Sequence, residues 1–155
     1  MKLVIAGSRS MHVSNKFIDS LVDLYKIRGI KEVVSGACGI DDANRDKDKY
    51  KAQGIDGCGE AWATEHNVPI RRFYAKWTDL GRKAGPIRNK EMAENSHALL
   101  LIWDGRSAGS KSMKFAALAE GIKIYECILR QDNVKSFEKN TLTETGVRRH
   151  NNYNS

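Results

Sequence analysis

Short runs of β-branched and aliphatic residues recur along this chain, and the stretches between them carry helical spacing. The first run, Lys2 to Ala6, enters Gly7-Ser8-Arg9. The second, Glu32 to Val34, enters Ser35-Gly36-Ala37-Cys38-Gly39. Pro69 to Tyr74, Ala98 to Trp103 and Lys123 to Ile128 complete the set, and Ala98 to Trp103 is the most apolar. A run with no polar alternation reads as a strand buried on both faces. Strands that alternate with helices give an α/β fold, with a doubly wound, mainly parallel sheet of about five strands. Right-handed crossovers then place helices on both faces of the sheet.

The intervening segments supply those helices. Ser14 can cap a helix with Phe17, Ile18, Leu21, Val22, Leu24 and Tyr25 on its apolar side, and Gly29 is expected to end it. Glu60 to His66 reads as a short helix. Ala75 to Ala84 reads as a polar loop carrying Trp77. A helix from Pro86 to about Glu94 follows, because proline suits a first helical turn. Gly105 to Ser112 reads as a small-residue loop, and Met113 to Glu120 as a helix stopped by Gly121. Residues 1–130 therefore form one domain. It is interrupted at about 41–54 by a charged insertion between two copies of one tripeptide, Gly39-Ile40-Asp41 and Gly54-Ile55-Asp56. Periodicity fades after Arg130, so 131–155 reads as a tail, part of Lys135 to Thr145 packing on the body and Asn151 to Ser155 disordered.

Composition narrows the function classes. Apolar residues make up 41% and charged residues 29%, which is globular rather than disordered. No apolar run approaches the roughly 20 residues of a membrane span. The apolar N-terminal stretch is too short for a signal peptide, and no small-x-small cleavage site follows it. Cys38, Cys58 and Cys127 form no CxxC pair and read as reduced thiols of a cytoplasmic protein. His12, His66, His97 and His150 lack metal-motif spacing, so no metal is expected. The net charge of +7 suits an anionic partner: nucleotide, nucleic acid or acidic protein.

In doubly wound sheets the ligand crevice lies at the carboxyl ends of the strands. Four polar, Gly-containing turns fall there or at a neighbouring helix start: Gly7-Ser8-Arg9, Ser35-Gly36-Ala37-Cys38-Gly39, Gly85-Pro86-Ile87-Arg88-Asn89, and Gly105-Arg106-Ser107-Ala108-Gly109-Ser110. Glycine lets backbone N–H groups approach a phosphate, and a helix N-terminus adds free donors and partial positive charge. Arg9 and Arg88 can add bidentate phosphate contacts. Gly105 to Ser112 falls one residue short of a P-loop, with Ser110 where the second glycine belongs. Among the carboxylates Asp41, Asp56, Glu60, Glu91 and Asp104, either Asp41 or Asp56 is placed to hold a ribose hydroxyl. No GxSxG motif, Ser-His-Asp spacing or acid/base pair is evident.

Read together, Gly7-Ser8-Arg9, Val34-Ser35-Gly36-Ala37-x-Gly39, Gly59-Glu60-x-Trp62-Ala63, Trp77, Gly81, Ala84-Gly85-Pro86-Ile87-Arg88-Asn89-x-x-Met92 and Gly105-x-x-x-Gly109-Ser110 resemble the SLOG superfamily, in its YspA/YpsA-related branch found in bacteria and phages. The likeness spans roughly residues 1–128, and Ala84 to Met92 is its most specific part. It implies a Rossmann-like fold that binds nucleotides or nucleotide-derived ligands such as NAD or ADP-ribose. Relatives in that superfamily include cytokinin-activating phosphoribohydrolases, the DNA-processing protein DprA and sensor domains of phage defence. Arg88 with Met92 matches the phosphoribohydrolase RxxxM element, and Gly109-Ser110 matches its Gly-Thr. Lys111, Ser112 and Met113 then stand where that family runs on to a glutamate.

The expectation is a nucleotide-binding module, and the resemblance implies a sensor or sequestering protein in phage–host conflict, in the cytoplasm of a bacterium or an infected host. Arg9, Arg88 and the N–H groups of Gly36 and of Gly109 to Lys111 would hold phosphates. A nucleoside-phosphate N-glycosidase is the alternative, with Arg88 polarising the ribose and Glu60 or Glu91 supplying the carboxylate. A DprA-like single-stranded nucleic-acid binder is a second alternative, less favoured. The resemblance also implies a homo-oligomer formed through sheet-flanking helices.

Overall fold

Every residue of Ala98–Trp103 is buried, as expected of a strand covered on both faces. In the computed structural model, which describes residues 1–44, 51–130 and 147–152, that strand is β4. The others are β1 (Lys2–Gly7), β2 (Glu32–Ser35), β3 (Ile70–Arg72), β5 (Lys123–Leu129) and β6 (Val147–Asn152). The sheet order is β3-β2-β1-β4-β5-β6. β1 to β5 run parallel, and β6 pairs antiparallel with β5.

Side chains alternate across β1 and β4 and so build two cores. Leu3, Ile5, Leu100 and Ile102 face one side, where α1 (Asn15–Leu24) adds Phe17, Ile18 and Leu21 and α2 (Gly54–Glu65) adds Ile55, Trp62 and Ala63. Val4, Ala6, Leu99, Leu101 and Trp103 face the other, against Met92 and Ala93 of α4 (Ala84–Glu94) and Met113 and Ala117 of α5 (Ala108–Glu120). The fold is the expected doubly wound, Rossmann-like α/β arrangement. The short α3 (Trp77–Leu80) and a 3-10 turn at Gly81–Lys83 lead into α4.

The strand order reverses direction between β1 and β4. A crevice opens at such a switch point, at the carboxyl ends of the strands. Gly7 keeps the two strands in register there, because a Cβ at this position would stand 1.7 Å from the Ile102 carbonyl oxygen.

Several boundaries depart from the sequence reading. α1 stops at Leu24 rather than running to Gly29. Lys26, with φ 55°, takes the left-handed position, while Lys26 N–H donates to Asp23 O and Ile27 N–H to Val22 O. That paired pattern closes a helix through local carbonyl capture and does not require glycine. α2 starts at Gly54, six residues before Glu60, because its glycines let it lie close on β1; a Cβ at Gly59 would meet Ile5 at 2.8 Å. α5 starts at Ala108, so Gly109 to Ser112 are its first turns and not a loop. Residues 77–83 are helical rather than looped. Residues 147–152, polar and without strand alternation, form β6, so Asn151 and Asn152 are in a strand rather than disordered. Antiparallel addition to a free sheet edge uses backbone groups and needs no apolar pattern. The core of the charged insertion (45–50) and most of the C-terminal tail (131–146 and 153–155) lie outside the described residues. Among the described residues, no helix is long and apolar enough to cross a membrane.

Candidate functional site

A cavity of about 420 Å³ opens at the switch point. Its walls come from the end of β1 (Ala6, Gly7), from Arg9 and Cys38, from Asp56 on α2, from Trp77 and Arg82, and from the first turns of α4 and α5. Volume and location are those of a small-molecule site.

The N-terminus of α5 forms one wall. Ser107 occupies the cap position, yet its side chain makes no capping bond; its hydroxyl donates instead to Ser110 Oγ at 2.6 Å. Ala108, Gly109 and Ser110, the first turn of α5, line the cavity, with the positive end of the helix dipole behind them. The preceding turn is fixed by Asp104, whose Oδ1 accepts from Arg106 N–H (2.8 Å) and Ser107 N–H (2.9 Å). Ser8 Oγ accepts from Asp104 N–H at 3.1 Å and ties this turn to β1.

Arg88 and Asp56 form the opposite corner. Arg88 Nε donates to Asn89 Oδ1 at 2.9 Å, and Nη1 donates to the Gly36 carbonyl. Asn89 in turn donates to Ser112 Oγ at 3.0 Å, joining α4 to α5. Asp56 is buried, and its Oδ2 accepts from Cys38 N–H at 3.1 Å. Burial pushes the Asp56 carboxyl up to about 6; the Arg88 charge and the Cys38 N–H oppose the rise and Glu60 adds to it. Burial likewise lowers the Arg88 pKa, with Asp56 and Cys38 pulling it back up. Burial also raises the Cys38 thiol, helped by Asp56, so at neutral pH it is a thiol and not a nucleophilic thiolate. Gly36 sits between the two charges: a Cβ there would come within 2.9 Å of Asp56 Oδ2 and 3.2 Å of Arg88 Cζ.

Arg9 reaches the rim, where its Nε donates to Gln53 Oε1 at 3.0 Å. Arg82 adds a further exposed cation. Trp77 is 43% exposed and leans on α4, so that a Cβ at Gly85 would lie 3.0 Å from its ring. An exposed indole beside a cationic cavity is a surface on which a flat ring can stack.

No protein-family model and no curated protein matches the chain.

Of the residues singled out from the sequence, Gly7, Arg9, Asp56, Arg88, Asn89, Gly109 and Ser110 line this one cavity. Ser8, Ser35 and Gly36 stand directly behind it: Ser8 and Ser35 are buried and serve as struts. Gly105, at φ 82°, shapes the turn before α5, and Lys111 lies on the outer face of that helix over Phe115. Asp41 is outside. Its carboxylate accepts from Ala43 N–H and from Thr78, which hold its pKa below the ordinary range. Glu60 points away as well, engaged by Arg72 at 2.8 Å and by Ser35 Oγ at 2.7 Å, and it faces a separate, more open cleft. Glu91 is exposed and borders a third depression. Neither glutamate named for glycosidic hydrolysis therefore lines the cavity. The sequence reading did not place Arg82 at the site, and it left Cys38 and Ser107 inside candidate turns without giving either a role, because the direction of those turns is set only by the folded chain.

Proposed function

We propose that this chain is a binding module for a nucleotide or nucleotide-derived small molecule, held at the carboxyl edge of the sheet. The observation that carries the reading is the coincidence, in one cavity, of an uncapped α5 N-terminus with Arg9, Arg82 and Arg88. Backbone donors, a helix dipole and guanidinium groups together select a phosphate. Trp77 offers a stacking surface for a base, and the volume suits one such ligand. The placement of Glu60 and Glu91 away from the cavity favours binding over N-glycosidic hydrolysis. The resemblance to the SLOG superfamily agrees with this reading, and a sensor or sequestering role extends it. Self-association belongs to the same reading: Phe115 and Leu118 of α5 and Ile87 of α4 are exposed apolar side chains on the helices that flank the sheet.

Gly109 provides the test. A Cβ at this position meets nothing within 4 Å, so Gly109→Asp fits. An acidic residue in the first helical turn stabilises the helix, and removing a helical glycine adds to that, together about 1 kcal/mol. The same carboxylate stands where a phosphate would bind. The expected result is a higher melting temperature with nucleotide affinity, by calorimetry, reduced at least about tenfold. A variant that binds nucleotides as well as the wild type would sink the reading.

A further inference from the structure

Among the described residues, Trp77 is the only aromatic side chain that lines the cavity. It belongs to α3, a helix of four residues, which is too short to hold a position by itself. The chain is fixed on both sides of Trp77 by the turn after β2. Before it, the Asp42 N–H donates to the Ala75 carbonyl at 3.1 Å, where residues 41 and 75 form a parallel bridge. After it, Asp41 Oδ2 accepts from the Thr78 N–H and from the Thr78 hydroxyl, both at 2.8 Å. Asp41 Oδ1 accepts from the Ala43 N–H at 2.9 Å, which sets the carboxylate in its turn. The indole then rests on Gly85, where a Cβ would stand 3.0 Å from the ring.

Burial does not account for this arrangement. No residue of α3 is buried, and Trp77 keeps 43% of its surface in water, whereas Trp62 and Trp103 keep 4% and 5%. Ordering an exposed segment costs conformational entropy, and little apolar area is removed from water in return. Polar pins therefore decide where the ring stands. A ring held open beside a cationic cavity is pre-organised, so a ligand that stacks on it is spared the cost of ordering it.

We propose that Asp41 is a positioning residue, which holds Trp77 in place to stack on the base of the ligand and so sets the preference of the site for sugar phosphates that carry a base over those that do not. This rests on the nucleotide reading above and names the part of the ligand that Asp41 governs. Asp41 touches no ligand itself. Without its carboxylate the Thr78 bonds are lost, α3 is released, and a ligand must order the indole at its own cost. Phosphate contacts at the α5 N-terminus and Arg88 stay in place.

The test is calorimetric titration of the full chain with the four ribonucleoside 5′-monophosphates and with ribose 5-phosphate, which shares their sugar and phosphate but lacks the base. The wild type is expected to bind at least one nucleotide about tenfold or more tightly than ribose 5-phosphate. Trp77→Ala brings that ratio to near one. Asp41→Ala lowers it by most of the same factor, and adding Asp41→Ala to Trp77→Ala lowers it no further, because the two residues act as one unit. Asp41→Asn, which keeps one acceptor oxygen, gives an intermediate ratio and serves if the alanine variant does not fold. A ratio preserved in both Asp41 variants overturns the inference and leaves the nucleotide reading standing, as does a further fall in the double variant. A wild-type ratio near one overturns it as well. If neither the nucleotides nor ribose 5-phosphate binds, the nucleotide reading fails and the inference falls with it.

Discussion

Asp41 and Asp56 occupy the same place in two copies of Gly-Ile-Asp, yet one is an exposed loop brace and the other a buried cavity wall. The sequence reading left the choice between them open because their local sequences are the same. The choice is made by what surrounds them: Thr78 and Ala43 satisfy Asp41, whereas Cys38 N–H and Arg88 surround Asp56. Burial has a measurable consequence. Asp56 titrates near 6 when folded, above its ordinary 3.8. Below about pH 3.8 it is neutral in both the folded and unfolded chain and has no effect on the balance. Between about pH 3.8 and 6 the unfolded chain ionises this carboxyl while the folded chain keeps it protonated, so stability falls by on the order of 3 kcal/mol and levels off above about pH 6. Asp56→Asn removes that loss. Thermal melts of wild type and variant should therefore nearly coincide at pH 4, and the variant should melt several degrees higher at pH 8. Two parallel curves across that range would contradict the burial argument.

At the scale of elements, strand cores were legible and helix ends only where a cap residue or a glycine marked them. Ser14 caps α1 as its sequence position suggests, its Oγ accepting from Phe17 N–H at 3.0 Å. The C-termini of α1, α2 and α5 share one closing pattern. The last N–H reaches back five residues, from Ile27 to Val22, Val68 to Ala63 and Ile122 to Ala117. A left-handed residue makes the turn each time: Lys26, Asn67 and Gly121. Glycine flags such a turn in a sequence, so the α5 end was legible; lysine and asparagine do not flag it, so α1 read too long. Lysine in this conformation is strained. Lys26→Gly should relieve the strain, and after the extra freedom it gives the unfolded chain it should still add about 0.5–1 kcal/mol of stability. A urea midpoint that moves down, or not at all, would show that Lys26 is held there without cost.

At the scale of the whole molecule, β1 and β4 are bonded on both edges and covered on both faces, while β3 is three residues at the border of the sheet. Amide exchange should follow that order: slowest at Val4, Ile5, Leu100 and Leu101, fastest at Ile70 to Arg72. Uniform protection across the sheet would mean that it opens only as one unit. The α5 side carries its own clamp. Glu126 of β5 is fully buried and accepts from Trp103 Nε1 at 2.8 Å and from Lys114 Nζ of α5 at 3.2 Å. That clamp anchors the helix whose N-terminus faces the cavity.

The sequence by itself determined the class of fold. Unbroken apolar runs can be buried only between two layers of helix, and that requirement is written in consecutive residues. It also put Gly7 with Arg9, and Gly36, at the carboxyl ends of β1 and β2, because those strands run straight into their turns. Only the tertiary structure decided which of them share a cavity. Glu60, Glu91 and Asp41 sit within a few residues of the site along the chain but turn to Arg72, to solvent and to Thr78. Gly36, Asp56 and Arg88 are far apart in sequence and meet at one corner. The direction of a side chain depends on the phase of its helix and on the partner across the crevice, and neither is recorded in the residues next to it.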